Sequence, residues 1–287
     1  GFKSPLKIHQ KVNHFPGIQS LVSKTLMSDL NRDYNYILPF FLIPEDQDEL
    51  DEFVSENPQK FLLEKNFFNR GVKIVSAKKV RERKNLVFYQ EFMDNPFLID
   101  NHAFDFGIFV LITSINPLRI YRFDADVLLR FCSEPYHPFD WRKRDKYVVK
   151  GESKTVYEMP SFEQIYQTFG FSSKIMFENY IGERGHDVTA FWKRIDDVIV
   201  RVISNAEAKV IENLAKFNFS SQNFFELVRF DLIIDDELNP YVLEVNMSPN
   251  LSPANEKYEE NVLIYEQLVF NVIQMIGAGS FYEFWSR

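Results

Sequence analysis

Two carboxylates and an amide, Asp231, Glu244 and Asn246, have the types and spacing to hold a hard divalent cation. Glu244 and Asn246 stand two residues apart in Glu-Val-Asn, so on a strand both side chains leave one face. Phe230 to Ile234 and Tyr241 to Val245 are apolar runs joined by the polar, turn-rich stretch 235–240, which predicts a hairpin. Pairing across that turn sets Asp231 beside Glu244, thirteen residues later. Oxygen donors of this kind suit Mg²⁺ shared with nucleotide phosphates better than Zn²⁺ or a soft metal. A solvated hairpin rim uses the same residue types, and spacing alone leaves both readings open.

Three other places could serve a nucleotide. A strand bearing Lys65 turns back through Asn69-Arg70-Gly71 into a second apolar strand, a way to hang a flap over phosphates with backbone N–H groups and one point charge. A plain hairpin with an exposed lysine reads the same. Gln90, Glu91, Phe92 and Met93 end a strand and enter the linker Asp94-Asn95-Pro96, where main-chain groups could read an adenine edge while Phe92 or Met93 packs on its face. Arg130 closes a further strand and could grip a carboxylate or acyl phosphate in two places.

The elements that must position these residues follow from periodicity. Helices are predicted over 19–30, 46–55, 161–169, 188–215 and 259–276, and strands over 36–43, 61–64, 73–75, 86–92, 104–114, 118–123 and 127–132. This order gives an α+β fold of mostly antiparallel sheets with helices packed outside, and not a doubly wound arrangement. No internal repeat or low-complexity tract interrupts it.

Composition bounds the function. At 287 residues the chain is long for one core and suggests two or three packed lobes. A formal charge of −8 disfavours nucleic acid or an anionic membrane as the main partner. Two basic clusters, Lys78, Lys79, Arg81, Arg83, Lys84 and Arg142, Lys143, Arg144, Lys146, read as solvated loops or, if the fold unites them, as a groove for an acidic polymer. The lone Cys132 rules out an internal disulfide and a cysteine-based zinc site, fits a reducing compartment, and reads as a small buried residue. The longest apolar run, 106–115, is too short to span a bilayer. No signal peptide is visible, and the start at Gly1 leaves open a targeting segment upstream.

The ordered set NHFPG (13–17), LVSKTL (21–26), LLEKN with NRGVKI (62–74), YQEFMDNPFLID (89–100), FDFGIFVLITSINPLRIYRF (104–123), LLRF (128–131) and FDLIIDDELNPYVLEVNMSPNL (230–251) resembles the tubulin tyrosine ligase-like family. The resemblance covers nearly the whole chain, and its last block is the most specific. It implies an ATP-grasp fold with nucleotide between two lobes: 1–22 as the remnant of an N-terminal subdomain, 23–96 as the central subdomain and 97–287 as the C-terminal one. It further implies Asp231, Glu244 and Asn246 as Mg²⁺ ligands, Lys65 over the ATP phosphates with Gly71 in the flap, Gln90 to Met93 at the adenine, and Arg130 as a substrate or acyl-phosphate arginine. The implied reaction joins a free amino acid, glutamate being the first expectation, to glutamate side chains on tubulin or microtubule tails or another acidic protein, in the cytoplasm or on the cytoskeleton.

The match breaks near the acceptor. Ala103 stands where the family usually has a lysine, and Gly107 where it has an arginine. His102 and Arg119 are the nearest replacements in sequence. Lys73 replaces a common second glycine, and 145–160 lacks the usual HLTN-like segment. Two readings stand: an active ligase with a divergent acceptor site, or a catalytically impaired nucleotide-binding module that recognises tubulin or another protein. The feature that separates them is whether a cation fills the space opposite Arg130.

Overall fold

The computed structural model describes residues 6–7, 9–66, 71–80, 87–149, 153–169, 172–217, 220–251 and 260–277. After strand β1 (Val12–Asn13) come helices α1 (Gln19–Val22) and α2 (Lys24–Leu30). One helix over 19–30 is the sequence expectation; the chain breaks instead at Ser23, whose ψ of 120° is extended. Ser23 precedes Lys24 as an N-cap residue and its hydroxyl meets Thr25 Oγ1 at 3.1 Å, so a local polar bond competes with helix continuation.

A four-stranded antiparallel sheet follows, built from β2 (Phe40–Ile43), β3 (Phe61–Asn66), β4 (Val72–Ser76) and β5 (Val87–Glu91) in the order β2-β5-β3-β4. Helix α3 (Gln47–Glu56) packs Leu50, Phe53 and Val54 against Phe41, Ile43, Leu62 and Tyr89. Because side chains alternate along a strand, Leu63, Lys65, Phe88 and Gln90 leave the opposite face. The strand expected from Tyr36 begins only at Phe40, since Tyr36 is tied back by its hydroxyl to Asn31 Oδ1 at 2.8 Å. Asn69, Arg70, Arg81, Arg83, Lys84 and Leu86 lie outside the described residues.

The larger sheet has β6 (Phe104–Ile115) at its centre. On one edge β6 pairs in turn with β8 (Leu128–Phe131) and β7 (Leu118–Arg122), and on the other with β9 (Phe224–Ile234). β10 (Pro240–Met247) and β1 share the far edge of β9, and β1 is the only parallel neighbour among the described strands. Phe104, Phe106, Ile108 and Val110 of β6 face the main core under α4 (Pro160–Phe169), α5 (Ser173–Gly182) and the 27-residue α6 (Val188–Leu214). Asp105, Gly107, Phe109 and Leu111 alternate onto the other face. There Phe109 and Leu111 lie under α7 (Glu260–Met275), while Asp105 and Gly107 lie beyond it. Nine consecutive buried residues on β6 are what a strand covered on both faces requires.

Two elements escaped the sequence. β1 is two residues long, too short for any periodicity. α5 has apolar residues on several sides, with Met176, Phe177, Tyr180 and Ile181 buried and Ile175 exposed, so no stripe marks it.

The NHFPG segment works as a clamp. Asn13 Oδ1 accepts the Leu227 N–H at 3.0 Å, and the fully buried Glu226 accepts the Phe15 N–H at 3.0 Å and meets His14 Nδ1 at 2.7 Å. His14 Nε2 reaches Ser248 Oγ at 2.9 Å, just past Asn246. Gly17 has φ +88°, and a Cβ built on it would fall 2.5 Å from the Asn213 Cβ of α6, so only glycine fits.

Candidate active site

The hairpin β9–β10 is not regular, and its irregularity makes the site. Ile234 pairs with Pro240 and Leu232 with Val242, a register that would oppose Asp231 to Leu243. A bulge between Val242 and Glu244 takes up one residue, so Asp231 opposes Glu244 instead. Without the bulge Glu244 would turn to the core face, where an unpaired carboxylate is costly. With it, Glu244 and Asp231 share the face that carries Asp105 and Gly107.

Neighbouring strands complete the cluster. Cross-strand pairs set Gly107 beside Asp231 and Arg130 beside Asp105. Arg130 grips Asp105 through Nε at 2.8 Å and Nη2 at 2.9 Å, and reaches Asp231 Oδ2 at 3.2 Å. Arg229, two residues before Asp231, holds both its oxygens at 2.6 and 2.9 Å. Asn246 Nδ2 donates to Asp231 Oδ2 at 2.8 Å and to Glu244 Oε1 at 3.0 Å. Burial works against the Arg130 charge, but Asp105 and Asp231 outweigh it and hold the guanidinium above its ordinary range. Burial pushes Asp105 up to about 6 against the pull of Arg130.

This cluster opens on a cavity of about 460 Å³ between the two sheets. Asp105, Arg130, Asp231 and Glu244 line one wall, Leu63 and Val72 come from the small sheet, and Phe92, Met93 and Pro96 from the connecting strand end. That volume lies in the range of small-ligand pockets. Lys24, at the start of α2, also lines it. Burial, then the neighbouring Lys65, push the Lys24 ammonium down to about 8 while Glu244 pulls it up. Among the described residues neither lysine has an ion-pair partner, so two cations await negative charge. Lys24 lies within LVSKTL, where no local pattern marks it for a site, and only the fold brings it near Glu244, 220 residues away.

Gln90 is 1% exposed, and neither its amide nitrogen nor its amide oxygen has a partner among the described residues. It pairs with Leu63, so both side chains leave the cavity-facing side of the small sheet. A buried amide without partners points to a ligand that supplies them. Phe92 and Met93 are buried on the cavity wall. Glu91 alternates to the other face, where it pairs with Lys60, and its N–H donates to the Pro39 carbonyl at 2.7 Å. Gly71 precedes β4 with Arg144 Nη1 3.7 Å from the position of a Cβ. Asp231, Glu244, Arg130, Phe92 and Met93 thus line one cavity, Asn246 is bonded to the first two, Lys65 and Gln90 share a sheet face with the lining residue Leu63, and the Glu91 side chain is directed away.

Neither sequence candidate for the missing cations reaches this place. His102 is 6% exposed and its Nδ1 meets the Cys132 carbonyl at 2.8 Å, a structural bond from its loop to the residue that follows β8. Arg119 pairs with Ser114 on β7, at the far end of β6 from Asp105. Ala103 sits in an apolar cluster with Ile74, Phe92, Cys132, Tyr136 and Tyr147. Over Gly107 the space is filled, by Arg229.

No three His, Cys, Asp or Glu side chains form a metal cage among the described residues. A mixed set nevertheless fits Mg²⁺: Asp231 and Glu244 each place an oxygen within 3.0 Å of the single Asn246 nitrogen, so the oxygens converge on one point that a small hard cation could take. Asn246 would then turn its oxygen inward.

A family model described as the tubulin-tyrosine ligase family matches residues 2–279. The chain belongs to that family. Among curated family members it is 38% identical over 274 residues to the probable tubulin polyglutamylase ttll-15 of Caenorhabditis elegans, covering 95% of this chain and 52% of that protein. To the tubulin monoglutamylase TTLL4 of Mus musculus it is 30% identical over 294 residues, covering 96% and 24%. To the tubulin polyglutamylase TTLL6 of Mus musculus it is 27% identical over 293 residues, covering 96% and 35%. The chain therefore spans about half of the nematode relative and a quarter to a third of the two mouse proteins. No helix among the described residues is long and apolar enough to cross a membrane.

Proposed function

We propose that this chain is an ATP-dependent ligase domain that joins glutamate to glutamate side chains in acidic tails of tubulin, through an acyl phosphate. The observation that carries the reading is the convergence on one cavity of Asp231, Glu244, Arg130 and Lys24, beside the sheet face that carries Lys65 and the partnerless Gln90 amide. In this reading the small sheet and the large sheet are the central and C-terminal subdomains of an ATP-grasp fold.

Asp231, Glu244 and Asn246 would hold Mg²⁺, whose charge offsets that of the ATP phosphates when bound. Lys24 and Lys65 face the phosphates, and Gln90 with the backbone from Glu91 to Met93 receives the adenine. The acceptor carboxylate oxygen bonds to the γ-phosphorus as the bond to ADP breaks. The incoming amino nitrogen then bonds to the acyl carbon, phosphate leaves, and the amine gives up a proton. Arg130, held flat by Asp105, presents its remaining N–H groups to the carboxylate and the transferring group, and stabilisation of that kind is commonly worth a few kcal/mol.

A net acidic protein needs a basic approach for an acidic tail. Described members of the two basic clusters lie beside each other's segments: Lys79 lies 4.9 Å over the Trp141 ring, and Arg144 Nη1 donates to the Val72 carbonyl at 3.4 Å. Lys146 is not part of this rim, being buried with its Nζ on the Pro138 carbonyl at 2.7 Å. Tubulin as acceptor would set the work of the domain in the cytoplasm, at the cytoskeleton.

The test is ATP-dependent incorporation of labelled glutamate into tubulin-tail peptides, beside calorimetric ATP binding with and without Mg²⁺. Glu244→Gln is expected to abolish incorporation and the Mg²⁺ dependence together. Mg²⁺-dependent binding without incorporation, across amino acids and acceptors, would support the non-ligating module instead, a reading favoured by the full engagement of Asp231 with protein donors.

A further inference from the structure

Gly107 and Arg229 occupy one space from two strands. Phe109 is the cross-strand partner of Arg229, and Gly107 that of Asp231, so the Arg229 side chain must run along the sheet past Gly107 to reach Asp231. It does so in close contact: a Cβ built on Gly107 would lie 3.1 Å from Arg229 Cδ and 3.1 Å from Leu128 Cβ. Any side chain at 107 would begin where the arginine already passes. The guanidinium ends 2.6 and 2.9 Å from the two oxygens of Asp231, with Arg229 only 12% exposed. The Asp231 carboxylate thereby accepts from Arg229 twice, and from Arg130 and Asn246 once each. Three of the four contacts, from Arg229 Nη2, Arg130 Nη2 and Asn246 Nδ2, converge on Oδ2, more than the two acceptor positions one carboxylate oxygen offers, while Oδ1 takes the Arg229 Nε–H alone.

We infer that Arg229 is the positioning cation of this site, supplied from β9 in place of the arginine that the resemblance expects at 107 on β6, and that Gly107 is glycine to admit it. The consequence for Asp231 is competitive. A divalent cation at the crowded Asp231 Oδ2 displaces both the turning Asn246 amide and the Arg229 Nη2–H, so metal entry and the release of a guanidinium N–H toward the acceptor are one exchange. This rests on the ligase reading for its catalytic part, while its structural and metal-binding parts stand without it.

Four variants test it: Arg229→Gly, Arg229→Lys, Gly107→Arg, and the double swap Gly107→Arg with Arg229→Gly. Each is measured for urea denaturation, for binding of Mn²⁺ alone, and for kcat and KM in glutamate incorporation. Gly107→Arg alone is expected to be the least stable, because two arginines compete for one channel, and the double swap to recover most of that loss. Arg229→Gly is expected to bind Mn²⁺ about fivefold or more tightly and to lose about a hundredfold in kcat with KM for ATP little changed. Arg229→Lys, which keeps the charge without the two-pronged grip, should fall between, and the double swap should return kcat to within about tenfold of wild type.

A double swap no better than the worse single variant in stability would overturn the pairing. Unchanged Mn²⁺ affinity in Arg229→Gly would overturn the exchange, and a purely structural arginine would give that result. Wild-type protein that binds Mg²⁺-ATP but ligates nothing would overturn the ligase reading instead, with the stability and Mn²⁺ measurements still deciding on Arg229.

Discussion

Replacing Gln90 by methionine should move stability and nucleotide affinity in opposite directions. The side chain is 1% exposed, and both its polar atoms lack partners among the described residues. A buried polar atom without a partner costs roughly 1–3 kcal/mol, and methionine matches glutamine closely in shape while removing both atoms. Allowing for imperfect packing, the ligand-free protein should gain about 1–3 kcal/mol, which for a chain of this size is a rise of roughly 2–6 °C in Tm. In the proposed reading the same change removes two bonds offered to the adenine. If they contribute about 1.5 kcal/mol, Kd for ATP rises about tenfold, and at a ligand concentration of about 100 Kd the stabilisation by ATP drops from about 2.7 to about 1.4 kcal/mol. Thermal melts of wild type and Gln90→Met, each with and without Mg²⁺-ATP, measure all four quantities. A variant that melts lower than wild type without ligand and keeps the full ATP-induced shift would show that the amide is not reserved for a ligand.

Three further outcomes follow from other parts of the structure. Lys24→Met should weaken ATP binding by about tenfold or more while leaving AMP binding nearly unchanged, because in the proposed reading the lost charge faces the β- and γ-phosphates and not adenine; calorimetry with both nucleotides checks it. Gly17→Ala should destabilise the fold by more than 1 kcal/mol in urea denaturation, since φ +88° and the 2.5 Å approach of Asn213 leave no room for a methyl group. Burial pushes the Cys132 thiol up to about 12, so at pH 8 it stays protonated, and its thiolate fraction is about a thousandfold below that of an ordinary thiol. Iodoacetamide should therefore label Cys132 in denaturant and barely in native protein, with the native rate rising about tenfold per pH unit up to the pKa while the fold survives.

The strands of the sheet were legible because their signals are local: alternation on β3 to β5, an unbroken apolar run on β6, and a polar turn between β9 and β10. Asp231 beside Glu244 was legible for the same reason, through one turn and thirteen residues. The bulge at Leu243 was not, since nothing in Val-Leu-Glu marks the extra residue; only the cost of turning Glu244 into the core selects it. The remaining site residues come from long range. Lys24 meets the cavity because α2 is carried over the small sheet, and Arg229 matters because β6 leaves a gap at Gly107. A sequence read one strand at a time asks what replaces a missing arginine on that strand, and so reaches for His102 and Arg119. The answer lies on the neighbouring strand, more than 100 residues further on, and strand pairing alone makes it visible.

The central place of β6 also sets a schedule for synthesis. Its residues from Phe104 to Leu111 are buried in the finished sheet, yet the strand that covers one whole edge, β9, begins roughly a hundred residues later. At about 5–20 residues per second, a ribosome needs about 5–20 s to make that interval. For this time the newborn chain carries its most apolar strand with one ladder of backbone groups unclaimed; α5 and α6 emerge only within the interval, and α7, which covers the other face, only after it. Two short neighbours, β7 and β8, arrive at once and guard the opposite edge. A nascent chain stalled before residue 224 should accordingly hold on to general chaperones, and one released after 247 should let them go.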